Sequence, residues 1–225
     1  MNTRVTPPLA ALFDLDGTLV DTIEDLTDTA NLMLTDMARP TLPLETIHRF
    51  VGKGIFNLVT RCMTEDKPAT ETDIQTAFAR FKYHYSVVNG RRAKAYPGVQ
   101  AALEDLAARG VLMGVVTNKA AEFSESLLEK MGLKHFFKVI VSGDTLPEKK
   151  PDPTPLRYAC KVLGVSIDDC VMFGDSANDA LAAQAAGMSV FLLDYGYSEG
   201  CPIDTIACDG LLSSIQQAWP LLTFS

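Results

Sequence analysis

The sequence predicts an α/β protein: a Rossmann-like doubly wound parallel sheet with a small all-helical segment inserted after its first strand. Three observations point there. Short runs of β-forming residues are near-continuous in hydrophobicity rather than alternating, as expected for parallel strands covered on both faces. Helical patterns lie between most of these runs, in the order that builds βαβ units. One stretch, 21–92, breaks that alternation and carries helical patterns alone.

Taken in order, the first strand is LAALFDLD (9–16), which leads into Gly17 and Thr18. Three helical patterns follow: TIEDLTDTANLMLTDM (22–37), LETIHRFVGKGIFNLVTRCM (44–63) and TDIQTAFARFKYHYSVVNG (72–90). They predict a helical domain over 21–92, of roughly 70 residues, within the size range of a small domain. The α/β core then comprises 1–20 and 93–225. It resumes with a helix at 97–110, opened by Pro97 and stopped by Gly110. The strand VLMGVVTN (111–118) leads into a helical stretch at 119–131. The remaining strands are KVIVSGD (138–144), CVMFGD (170–175) and SVFLLDY (189–195), with helices at 155–164 and 177–187.

Composition narrows the function. Of 225 residues, 47% are hydrophobic and 21% charged, which suits a packed core. A net charge of -8, from 20 Lys and Arg against 28 Asp and Glu, argues against nucleic-acid or membrane-surface partners. An anionic substrate stays compatible, because a metal and a few placed cations reverse the field locally. The five cysteines are scattered without a CxxC pair, as in a protein of the reducing cytoplasm. No run approaches the roughly 18 apolar residues of a membrane span, and the apolar run before Asp14 is too short for a secretory leader. A cytoplasmic location is expected. GxSxG, HExxH, GxGxxG and GxxxxGK[ST] are all absent, and His48, His84 and His135 are dispersed.

Polar residues gather where the predicted strands end: Asp14 and Asp16, Thr117 and Asn118, Asp144, Asp175 and Asp194. Open α/β sheets bind ligands outside the carboxyl ends of their strands, at a topological switch point. The stretch FDLDGT places two carboxylates two residues apart at such an end, and Gly17 permits a sharp exit. Neighbouring carboxylates repel unless a metal or a raised pKa intervenes. Asp175 in GDSAND supplies a third oxygen donor, and an all-oxygen set is what Mg²⁺ prefers. Lys150 in KKPDP can set an ammonium against a phosphate, and Thr117 and Asn118 add neutral hydrogen bonds. Such a set suits phosphoryl transfer, which needs a nucleophile, cationic charge on the phosphoryl oxygens and a proton donor for the leaving group. Singly, each motif has a plain structural reading: Asp-Gly as a turn, GDSAND as a helix cap, KKPDP as a solvated loop. Together, in this order, they point to one site.

The same residues resemble the haloacid dehalogenase superfamily of phosphatases over nearly the whole chain. DLDGTLVDT (14–22), VVTN (115–118), KKPDP (149–153) and GDSAND (174–179) match its four motifs. The resemblance implies Asp14 as nucleophile and Asp16 as general acid and base. It implies Mg²⁺ held by Asp14, the Asp16 backbone carbonyl and Asp175, with Asp179 in support. Thr117 and Lys150 would bind the transferring phosphoryl group, with Asn118 a further substrate-binding candidate. The 21–92 segment resembles the superfamily's C1-type cap, with Gly52, Lys53 and Gly54 of VGKG reaching over the site. VGKG, AYPGV (95–99), TNK (117–119) and YGY (195–197) further resemble the bacterial phosphoglycolate phosphatases. The expected reaction is therefore hydrolysis of 2-phosphoglycolate to glycolate and phosphate through an aspartyl-phosphate, by a monomer or homodimer. Another small phosphometabolite, a phosphomutase reaction, or a phosphonate hydrolase using Lys53 as a Schiff base remain alternatives. Lys53, Arg61, Arg91 and Arg92 are candidates for reading a substrate carboxylate, and Phe78, Phe81, Tyr83 and Tyr85 are expected to pack within the cap.

Overall fold

The computed structural model describes residues 8–198 and 200–222. Along the chain, β1 (Ala10–Phe13) and the short β2 (Val20–Asp21) lead into four helices. These are α1 (Ile23–Asp36), α2 (Leu44–His48), α3 (Ile55–Thr64) and α4 (Glu71–Val88). The short β3 (Lys94–Ala95) returns the chain to α5 (Val99–Ala108), β4 (Leu112–Val116), α6 (Ala121–Lys130) and β5 (Val139–Val141). Then come α7 (Thr154–Leu163), β6 (Cys170–Gly174), α8 (Ala177–Ala186), β7 (Ser189–Leu193) and β8 (Gly210–Leu212).

Six of the strands form one parallel sheet in the order β5-β4-β1-β6-β7-β8. The doubly wound architecture expected from the sequence is present. β1 explains why its apolar run is continuous: the pleat sends Ala11 and Phe13 into one layer and Ala10 and Leu12 into the other. The first layer holds α5 and α6 through Val99, Leu103, Leu106, Leu127 and Leu128. The second holds α7 and α8 through Leu156, Ala159, Ala180 and Ala183. From β1 the chain builds β4 and β5 on one side, then crosses to β6, β7 and β8 on the other. That reversal puts the switch point at β1. Phe13 stands level with Val115 of β4 and Phe173 of β6, so three strand ends open onto the same rim.

The four helices α1 to α4 share their own apolar cluster. Ile23, Leu26, Ala30, Met33 and Leu34 of α1 recur at helical spacing and meet Ile74, Ala77, Phe81 and Tyr85 of α4. Thr70 and Asp73 close a capping box at the start of α4. Two core residues, Phe123 and Tyr197, join this cluster and connect it to the α/β part. β2 and β3 pair antiparallel at its root, Val20 with Ala95 and Asp21 with Lys94. Asp25, buried on α1, accepts from the backbone N–H groups of Gly90, Arg92 and Ala93 and fastens the returning chain.

Some details depart from the sequence reading. The 44–63 pattern is two helices, because Gly52 and Gly54 adopt φ of 133° and 79° and interrupt the ladder. Tyr83 is 68% exposed and lies against the His84 ring, apart from the cluster that Phe78, Phe81 and Tyr85 join. Phe78, Phe81 and Tyr85 share one helical face at spacings of three and four, and Tyr83 falls between them on the opposite side. β8 and the β2–β3 pair had no sequence signal. No helix among the described residues is long and apolar enough to cross a membrane.

Candidate active site

β1 stops after Phe13, and the chain turns back on itself through Gly17 (φ 90°), with Leu19 and Val20 both donating to the Leu15 carbonyl. The turn lies against carboxylates. A β-carbon on Gly17 would stand 2.2 Å from Asp175 Oδ2, and one on Gly174 would stand 2.3 Å from the Asp179 side chain. Glycine is needed at both, because backbone walls the acidic groups there.

Asp14 Oδ1 accepts from the Leu15 N–H at 2.7 Å and lies 3.0 Å from the Lys150 ammonium. Burial pushes the Asp14 carboxyl up to about 6; Lys150 opposes the rise, and Asp179 and Asp16 add to it. Asp175 accepts from the Thr18 hydroxyl and from the Tyr197 N–H, each at 2.6 Å. Burial, then the charges of Asp179 and Asp14, hold its carboxyl well above the usual range. Asp179 Oδ1 lies 2.6 Å from Lys150, and its Oδ2 accepts from the Ser176 N–H and hydroxyl and the Asp175 N–H. Every oxygen of Asp179 is thus occupied, which suits a residue that supports the others. Lys150 joins Asp14 to Asp179 and is itself only 4% exposed.

Oxygens of Asp14, Asp175 and Asp179 lie within 4.8 Å of one another. Three carboxylates around one ammonium leave surplus negative charge in a buried place, and the donors are all hard oxygens. The set fits Mg²⁺. The Asp16 side chain is turned elsewhere: its oxygens take the Thr22 hydroxyl at 2.8 Å and the Lys119 ammonium at 3.0 and 3.2 Å.

Thr117 directly follows β4 beside this group and, with Asp14, Asp16, Gly52, Gly54 and Asn118, lines a cavity between the sheet rim and the helices. The Asn118 amide is engaged twice, donating to the carbonyls of Gly52 (3.1 Å) and Lys150 (3.0 Å). Asn178 also donates to the Gly52 carbonyl, at 3.4 Å. The 51–54 loop is therefore tied to the rim by its backbone. Lys53 is exposed and is absent from the cavity lining. Arg61 lies over the Phe50 ring, 4.5 Å from its centroid. Arg91 and Arg92 flank a different cavity, and Arg92 pairs with Glu24 and Asp28. The turn fastened by Asp25 carries these two arginines to the outside of α1.

Two residues that the sequence reading did not assign stand at the site. Lys119 is 4% exposed, lines the cavity, and donates to Asp16 and to the Tyr85 hydroxyl. In the sequence it stands only as the last residue of TNK (117–119), without a role of its own. Tyr197 accepts the N–H groups of Thr22 (2.6 Å) and Ile23 (3.0 Å) and donates to Asp21 Oδ1 at 2.6 Å. Thr22 makes no side-chain cap of its own, so the Tyr197 hydroxyl caps α1. Tyr197→Phe should lower stability by about 1–2 kcal/mol in urea unfolding, the cost of a lost cap; an unchanged midpoint would remove that role.

The family model of the haloacid dehalogenase-like hydrolases matches residues 11–193, from β1 to the end of β7. This chain is a haloacid dehalogenase-like hydrolase. The hydrolase is 42% identical over 219 residues to the phosphoglycolate phosphatase of Nitrosospira multiformis, covering 96% of each chain. It is 41% identical over 223 residues to the plasmid phosphoglycolate phosphatase of Cupriavidus necator, covering 99% of this chain and 96% of that one. Its fold matches a crystal structure from Haemophilus somnus, described as a predicted phosphoglycolate phosphatase, with a TM-score of 0.87 at 32% identity. That match spans 91% of this hydrolase and 93% of the other chain. With such relatives it stands among the phosphoric monoester hydrolases.

Proposed function

We propose that this hydrolase cleaves 2-phosphoglycolate, a small anionic phosphomonoester, to glycolate and inorganic phosphate through an aspartyl-phosphate on Asp14. Residues 21–92 act as a cap on a core formed by 1–20 and 93–225. The observation that carries the reading is the buried Lys150 ammonium, 3.0 Å from Asp14 and 2.6 Å from Asp179, at the rim where β1, β4 and β6 end. A carboxylate beside a fixed cation can approach phosphorus while the charge on the phosphoryl oxygens is offset.

In the first half-reaction an Asp14 oxygen bonds to phosphorus and the ester P–O bond breaks. Asp16 gives its proton to the departing glycolate oxygen. Asp16 then takes a proton from water, whose oxygen bonds to phosphorus and releases Asp14. Lys150 and the Thr117 hydroxyl hold the phosphoryl oxygens throughout, and Asp179 fixes Lys150. Asp14, the Asp16 backbone carbonyl and Asp175 would hold Mg²⁺, which would supply further positive charge to those oxygens. Gly52 and Gly54 keep the 51–54 backbone close over the cavity and exclude bulk water. Similarity to the phosphoglycolate phosphatases of Nitrosospira multiformis and Cupriavidus necator favours phosphoglycolate over other small esters. Five free cysteines support a cytoplasmic setting, where the enzyme acts as a monomer or homodimer.

The test is initial rates with Mg²⁺ across phosphoglycolate, hexose phosphates and nucleotides. Phosphoglycolate should lead in kcat/KM by at least about tenfold, 1.4 kcal/mol of transition-state preference. EDTA should abolish turnover and added Mg²⁺ restore it. Equal kcat/KM values across the panel would overturn the substrate, and full activity in EDTA would overturn the metal.

A further inference from the structure

We infer that Lys119 reads the carboxylate of the substrate, with the Tyr85 hydroxyl of α4 aiming its ammonium. This rests on 2-phosphoglycolate being the substrate. In that molecule a single methylene separates the carboxylate from the ester oxygen. Asp16 must reach the same ester oxygen to protonate it. The second anion of the substrate therefore lies beside Asp16, and whatever neutralises it must lie there too.

Lys119 is the cation in that place. Its ammonium stands 3.0 and 3.2 Å from the two Asp16 oxygens, and it is the one lysine or arginine among the described residues lining the cavity. Lys150 is taken up between Asp14 and Asp179, under the phosphoryl position. The other candidates are elsewhere: Arg61 over Phe50, and Arg91 and Arg92 on a separate cavity. Because Lys119 is 4% exposed, an anion set against it is little screened by solvent.

The support for the ammonium is rigid. Tyr85 is fully buried, with its ring against Phe81 and Phe123, and its hydroxyl takes one N–H of Lys119. The other two N–H groups fork onto Asp16. With substrate bound, one prong passes to the substrate carboxylate and the other keeps Asp16 in place. Lys119 then holds the proton donor and the substrate carboxylate together. On the side of the helices α1 to α4 the side chains lining the cavity are apolar, Leu26, Val51, Ile55 and Leu58, and offer the hydroxyls of a sugar no partner there. Selection for a short acid follows from one cation and an apolar wall.

The experiment compares kcat/KM for 2-phosphoglycolate with that for 2-hydroxyethyl phosphate, which has the same length and no carboxylate. The ratio is measured in the parent, Lys119→Met, Lys119→Arg and Tyr85→Phe. In Lys119→Met the ratio should fall at least about 10²-fold, chiefly through KM for phosphoglycolate, as on removing one partner of a buried charge pair. Lys119→Arg should recover at least about tenfold of that loss, since it restores the charge. Tyr85→Phe keeps the ring packing and should lower the ratio about 3- to 10-fold, the scale of a single hydrogen bond. If both substrates lose equally in Lys119→Met, the lysine acts on Asp16 alone and the inference is overturned. Should Lys119→Met fail to fold, an unchanged ratio in Tyr85→Phe overturns it instead. A parent enzyme without preference for phosphoglycolate removes the substrate reading as well; a preference that survives in Lys119→Met removes this inference only.

Discussion

Asp14→Asn should reduce phosphate release at least about 10³-fold, the scale on which loss of a covalent nucleophile is felt. The amide keeps the shape of the carboxylate but carries no charge to form an acyl-phosphate. Stability should move the other way in metal-free protein. The Asp14 carboxyl is raised from 3.8 to about 6, so the folded state holds its proton more tightly than the unfolded chain does. Its stabilising contribution is complete below about pH 3.8 and is lost as pH rises through about 6. At pH 7.5 in EDTA the charged carboxylate opposes folding, and Asn removes that penalty. The Tm of Asp14→Asn should therefore equal or exceed the parent's at pH 7.5, with the gap closing towards pH 5. Added Mg²⁺ should raise the parent more, because a ligand that binds only the folded state stabilises it. A variant that melts lower than the parent in EDTA would contradict the crowding of charge at the site.

Lys150→Met should be damaging in both respects. The side chain is 2% exposed and is the ammonium shared by Asp14 and Asp179. Its removal strands two buried carboxylates, a change that costs about 3–5 kcal/mol when one member of a buried ion pair is lost. Turnover should fall at least about 10²-fold, because the phosphoryl oxygens lose a fixed cation. Urea midpoints and phosphate release measure the two effects separately. Adding Asp14→Asn to Lys150→Met should recover part of the stability and none of the activity, since it discharges one stranded carboxylate without restoring a nucleophile. If Asp14→Asn recovers no more stability in Lys150→Met than it gains in the parent, Lys150 and Asp14 are not coupled.

The sheet was legible because β1, β4, β5, β6 and β7 are covered on both faces and so carry continuous apolar runs. The convergence of Asp14, Thr117 and Asp175 followed from where those runs end. β8 escaped notice because three residues, one of them Gly210, hold their place through pairing with β7 rather than through any pattern of their own. The break between α2 and α3 depends on backbone angles at Gly52 and Gly54, which a continuous helical pattern conceals. Lys119 was passed over for a different reason. A lysine after a strand end is ordinarily solvated, and only the approach of Asp16 and of Tyr85 from α4 makes its burial tenable. Arg91 and Arg92 mislead in the opposite sense, since both border the separate cavity beside α1, where Arg92 pairs with Glu24 and Asp28.

Tyr197 bridges two places: its backbone N–H donates to Asp175 and its hydroxyl accepts from the first turn of α1. The acidic group and the start of α1 are thus joined through a single residue. A movement of α1 that displaces this ring also alters what holds Asp175, and a cation drawing on Asp175 pulls on the root of α1. Thermodynamic linkage makes such coupling reciprocal: the factor by which a displacement of α1 changes the affinity for a cation at Asp175 is the factor by which the cation shifts α1.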